Sequence, residues 1–178
     1  MERKKTENKN PATPPKTTDQ KKIAYLGLFA AIAIIFGYVE SLIPFFAGIP
    51  GMKLGLANLA VLFILEKYTW KEAALVSLVR ILIIGFMFGS GSSIMYSLAG
   101  ATLSLIVMVF VKNKIGFSYL GVSVAGGISH NIGQLLVAIP ATHTIGLLYY
   151  YAPALMVSGV ITGLLIGVLT REVVKRLP

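Results

Sequence analysis

Residues 22–39 read KIAYLGLFAAIAIIFGYV, and this stretch decides the fold class. Between Lys22 and Glu40 no side chain carries a charge. As a helix rising about 1.5 Å per residue, the run reaches across most of the roughly 30 Å hydrocarbon layer of a bilayer. Helical backbone satisfies its own N–H and C=O groups, which is the condition for residence in lipid. The pattern then repeats at Leu54 to Leu65, Glu72 to Phe88, Ser93 to Val111, Tyr119 to Ile139 and Leu148 to Thr170. The expected fold is all-α, an integral membrane bundle of about six transmembrane helices over residues 21–178. The second run is the shortest. Before it, the segment Glu40 to Lys53 holds Pro44, Pro50 and Gly51, which argue against regular helix there.

Composition points the same way. Of 178 residues, 56% are hydrophobic and 13% charged, too little polar surface to clothe a water-soluble globule. Residues 1–20 differ: rich in Lys, Asn, Thr and Pro, they cannot bury enough apolar surface to order themselves, and a disordered basic tail is expected. The apolar run from Ile23 lacks a small-x-small cleavage site and leads into further spans, so it reads as a span and not as a signal peptide.

The net charge of +9 is distributed topologically. Lys21 and Lys22, Lys67 and Lys71, Lys112 and Lys114, and Arg171, Lys175 and Arg176 fall on one side of the bundle; Lys53 alone falls on the other. Basic residues near span ends favour the cytoplasm, so both termini are expected there. No basic groove with interleaved aromatics exists, which sets nucleic acid aside as a partner. The chain has no cysteine, so thiolate ligands and disulfides are excluded. Its two histidines, His130 and His143, stand apart from each other and from carboxylates, so neither a metal nor any other cofactor is expected. No Gly-rich phosphate loop and no DDxxD-like carboxylate cluster is present.

Ionisable groups inside spans are costly and face protein or a wet cavity. Arg80 lies nine residues from Lys71 and eight from Phe88, beyond easy reach of either surface, and needs a counter-charge or an anionic ligand. In the fifth run, GGISHNIGQLL (residues 126–136) sets His130 and Gln134 one helical turn apart on one face, with Asn131 beside it. Asn58, Glu40 in ESLIPFF and Lys53 in PGMKLGLAN belong to the outer end. A polar cavity open outward is expected, lined by Glu40, Lys53, Asn58, Arg80, His130 and Gln134, with Asn131 helping to orient a small, partly anionic molecule. The plainer reading makes Arg80 a structural ion-pair member, His130 a helix contact, and Glu40 and Lys53 solvated partners. Small residues four apart, Gly27 with Ala31, Ala33 with Gly37, and Gly159 with Gly163 and Gly167, serve either packing within the chain or a partner membrane protein.

The motifs ESLIPFFAGIPGMKLGLANLAVLFIL (residues 40–65) and AGGISHNIGQL (residues 125–135) resemble those of a bacterial membrane family known both as heptaprenyl diphosphate synthase component I and as the Gx transporter family. The resemblance covers nearly all of Lys21 to Leu177. That family is in turn similar to the S components of energy-coupling factor transporters, which implies six helices, a substrate pocket at the outer end and residence in the bacterial cell membrane. Lys53, Leu54, Gly55 and Leu56 match the K-L-x-L/F segment of that wider group. Gly27, Ala31 and Ala33 approximate the small residues that meet a transmembrane coupling subunit with its ATPases. The resemblance implies a substrate-binding transporter subunit for an anionic, aromatic or prenylated molecule, linked to membrane electron transfer with quinones or flavins. The enzymatic name implies instead a non-catalytic component of heptaprenyl diphosphate synthesis for the menaquinone side chain.

Overall fold

Charged and glycine-containing turns set where the helices stop and start. The computed structural model describes residues 17–42, 55–143 and 146–176. Among them are six α-helices and no strand: α1 (Thr17–Leu42), α2 (Asn58–Lys67), α3 (Trp70–Phe88), α4 (Gly91–Phe110), α5 (Tyr119–Thr142) and α6 (Gly146–Arg176), with a π-turn, Val111–Ile115, extending α4. Helix α1 begins at Thr17, so residues 17–20 of the expected tail are helical; residues 1–16 and Lys53 lie outside the described residues.

Four stretches are long and apolar enough to cross a membrane: Gln20–Leu42, Gly91–Ile115, Tyr119–Ala141 and Tyr149–Arg176. This is a membrane protein. The other two helices differ from a simple span for separate reasons. Helix α3 has 19 residues but carries Lys71, Glu72 and Arg80. Helix α2 has 10 residues and is about 15 Å long, half the hydrocarbon thickness.

Helix α2 starts at Asn58, four residues later than the apolar pattern alone predicts. Gly55, at φ +86°, makes a turn in which the Asn58 N–H donates to Gly55 O at 2.9 Å and Leu59 N–H to Leu56 O at 3.1 Å. From Asn58 to Leu65 every residue is buried, as a helix apolar all round must be. It packs against α1, α3 and α6. Phe63 stacks on Phe29 of α1 with ring centroids 3.8 Å apart. At its C-terminal end Lys112 donates to Leu65 O at 2.5 Å and pairs with Glu66 at 3.0 Å, supplying a cation where the last carbonyls lack partners. Thr69 and Glu72 then form a capping box that opens α3, and Lys22 of α1 reaches Glu72 at 2.5 Å.

Helix α5 forms the other half of the bundle with α4 and α6. Its backbone approaches both neighbours at glycines. A Cβ on Gly127 would lie 2.4 Å from Gly159 O, one on Gly163 would lie 2.7 Å from Val124 Cα, and one on Gly133 would lie 2.6 Å from Ala99 O. The small residues of α6 therefore serve contact within the chain. Gly127→Ala forces backbone apart, and overpacking of this kind costs about 1–3 kcal/mol. Thermal unfolding of detergent-solubilised protein is expected to show that loss, whereas Gly27→Ala, with nothing within 4 Å of the added atom, leaves the midpoint unchanged.

Candidate functional site

The polar residues singled out in the spans meet inside the bundle. Gly37 of α1 faces α3, where an added Cβ would lie 3.7 Å from Arg80 Cγ. Three residues on, one helical turn along the same face, Glu40 is the carboxylate whose field reaches Arg80. Glu40 Oε1 accepts from Gly55 N–H at 2.5 Å and from Leu56 N–H at 2.8 Å. That pins the turn before α2 to the end of α1. Gly55 in turn lies over Asn58 and His130: a Cβ there would be 2.9 Å from Asn58 Nδ2 and 3.5 Å from His130 Cδ2. His130 Nε2 and Gln134 Nε2 are 2.9 Å apart, so with the amide nitrogen donating the ring accepts at Nε2.

Glu40, Asn58, Arg80, His130 and Gln134 thus form one contiguous polar region contributed by α1, α2, α3 and α5. Asn131 turns the other way. Its Nδ2 donates to Leu155 O at 2.6 Å and lies 3.4 Å from Ser158 Oγ, which makes it a tie between α5 and α6. Lys53 is outside the described residues.

An outward-open cavity calls for exposed linings, but exposure runs only from 0% at Gln134 to 7% at Asn58. An adjoining void among Gly55, Asn58, Gly126, Gly127 and Thr162 measures about 10 Å³, the lower limit for a single water. The polar residues are covered. Arg80 is 4% exposed, and among the described residues its Nε and Nη2 have no hydrogen-bond acceptor. A buried charge without acceptors is unfavourable, so this guanidinium carries unmet demand.

The expected docking set divides. Gly27 and Ala31 lie on the exposed face of α1, while Ala33 is fully buried on the opposite side with Phe29. Tyr149 and Tyr150 are exposed as an interfacial belt requires, and Tyr96 is buried with Leu135, Ala138 and Leu155. Among the described residues no group of three His, Cys, Asp or Glu is placed to hold a metal. Sequence reasoning missed Ser77, a buried hydroxyl on α3 with no partner among the described residues, and the intrahelical bonding of Ser129 to Ala125 O at 2.6 Å. Serine is common in helices of either kind, so nothing in the sequence separated these from ordinary positions.

Glu40 tests the region's integrity. Glu40→Ala removes the acceptor for two backbone N–H groups, at about 1–3 kcal/mol for buried donors left unpaired. Glu40→Gln keeps one acceptor oxygen and is expected to lose less; equal midpoints for wild type and Glu40→Ala in thermal unfolding would contradict this role.

The family model described as heptaprenyl diphosphate synthase component I matches residues 29–173, which include every described member of the polar region. No curated protein and no solved structure matches the chain.

Proposed function

The chain belongs to the heptaprenyl diphosphate synthase component I family, and from that premise we propose that it is a membrane-embedded substrate-binding subunit, comparable to the S components of energy-coupling factor transporters. It holds a small, partly anionic, aromatic or prenylated molecule in the polar region of Glu40, Asn58, Arg80, His130 and Gln134. The observation that carries this reading is Arg80, a buried guanidinium whose Nε and Nη2 lack acceptors among the described residues. An anionic ligand supplies them with charge-assisted, bidentate geometry.

In this reading His130, Gln134 and Asn58 orient the ligand, and Lys53 adds a second cation at the outer end. Because the region is covered, entry requires the Gly55–Leu56 turn to move from Glu40. Gly27 and Ala31, exposed on α1, are offered to a coupling subunit or an electron-transfer assembly; Ala33 is not. The end bearing Lys67, Lys71, Lys112 and Lys114 faces the cytoplasm with both termini.

The family description favours a second reading, a non-catalytic component of heptaprenyl diphosphate synthesis. It requires a soluble partner that holds magnesium, because this chain has no carboxylate cluster. Prenyl transfer by that partner at equal speed with and without this chain removes it.

The first reading is tested with whatever small molecule remains through purification and is identified by mass spectrometry. Hydrogen bonds to a charged group are worth about 1.5–3 kcal/mol. Arg80→Ala is therefore expected to weaken binding by about tenfold to about a hundredfold. His130→Ala should weaken it less, by about fivefold for a neutral bond. Unchanged affinity in both variants overturns the site.

A further inference from the structure

Away from the polar region, the faces of α3 and α4 leave a groove of about 640 Å³, within the roughly 300–1,000 Å³ usual for small-molecule sites. Its walls are mainly apolar: Ile81 of α3 and Ala101 and Phe110 of α4 contribute along its length. Ser77 also lines it, buried, with an Oγ that has no hydrogen-bond partner among the described residues. Trp70 and Lys114 stand at the basic end, where α3 begins and the π-turn follows α4.

Charge at that end is distributed unevenly. Lys22 and Lys112 are engaged by Glu72 and Glu66 at 2.5 and 3.0 Å. Lys71 and Lys114 have no carboxylate partner among the described residues, and Lys71 Nζ sits 5.9 Å from the centre of the Trp70 ring. The groove therefore combines an apolar trough, a buried hydroxyl partway along it, and at one end Lys114 and Trp70 in its lining, with Lys71, itself not part of the lining, held near the Trp70 indole. An indole is favoured at headgroup level, and flexible lysines reach from a helix end to the interface. Basic pockets between helices at the cytoplasmic face are where anionic lipid headgroups are held.

We propose that this groove is a binding site for an anionic phospholipid drawn from the surrounding bilayer. The phosphate lies between Lys71 and Lys114, one acyl chain lies along the trough over Ile81 and Ala101, and Ser77 Oγ donates to an oxygen of the ester region. A neutral phospholipid fills the trough without using the lysines, and a free anion uses the lysines without filling the trough. Of these three, the anionic lipid alone meets both demands.

The test uses the full chain purified in detergent, with dioleoyl phosphatidylglycerol and dioleoyl phosphatidylcholine as probes and native mass spectrometry as the readout. The wild type is expected to retain phosphatidylglycerol in preference to phosphatidylcholine. A lysine near an anionic headgroup contributes about fivefold, so K71A/K114A is expected to lose about 25-fold in retention. Both side chains are exposed and outside ion pairs, so the double variant is expected to keep the wild-type unfolding midpoint without added lipid. Ala101→Phe, which occupies the trough and leaves the lysines in place, should also abolish retention. Equal retention of the two lipids, or wild-type retention of phosphatidylglycerol by both K71A/K114A and Ala101→Phe, overturns the proposal. So does displacement of bound phosphatidylglycerol by an equal concentration of geranylgeranyl diphosphate, which assigns the groove to a prenyl chain.

Discussion

Helices in lipid gain little by hiding apolar side chains from solvent that is itself apolar, so their association rests on close backbone approach and on internal hydrogen bonds. Helix α5 supplies both. Its glycines admit α6 at Gly127 and α4 at Gly133, at separations that leave no room for a single Cβ. Asn131 adds a hydrogen bond to Leu155 O across the first of these contacts. With the helix held on two sides, its polar residues cannot rotate toward lipid. His130 is fixed against Gly100 of α4, where an added Cβ would lie 2.9 Å from His130 Cε1, and Gln134 follows one turn later. The polar region depends on the backbone contacts at Gly127 and Gly133, which involve none of its own side chains.

The long apolar runs were legible because hydrophobicity over a helix length is a property of consecutive residues. Four of the expected spans appear as helices of the required length and composition. Helix α3 departs from them by its charges, Lys71, Glu72 and Arg80; helix α2 departs by its length, and its start shows why. Whether residues 55–57 are helical depends on the Gly55 turn and on Glu40, a carboxylate 15 residues away in sequence from the N–H it receives. Apolar periodicity carries no record of such a partner. The small residues divided for a similar reason: Gly159, Gly163 and Gly167 find neighbours within the chain, Gly27 has none within 4 Å, and Ala33 faces the core. Spacing alone treats all of them alike.

Within the candidate site, the polar residues were visible as departures from an apolar background, and five of them, Glu40, Asn58, Arg80, His130 and Gln134, converge. Their direction was not visible. Asn131 belongs to the same motif as His130, yet the 100° between consecutive helical residues sends it to α6. The groove between α3 and α4 left no trace in the sequence either. Its lining comes from two helices and a π-turn, and the contrast between committed and uncommitted lysines depends on where Glu66 and Glu72 point.

The balance of charge in the polar region has a consequence for how it works. Glu40 is the carboxylate nearest in effect to Arg80, but its Oε1 is held by the Gly55 and Leu56 amides. With Oε1 on the turn, Nε and Nη2 of Arg80 have no acceptor among the described residues. Glu40 has a second oxygen, Oε2, that those amides do not use, so holding the turn and facing Arg80 are compatible, and in a low-dielectric interior both count. In the proposed reading, an anionic group on Arg80 leaves Glu40 Oε1 on the turn before α2, so that ligand occupation and closure of that turn stabilise each other.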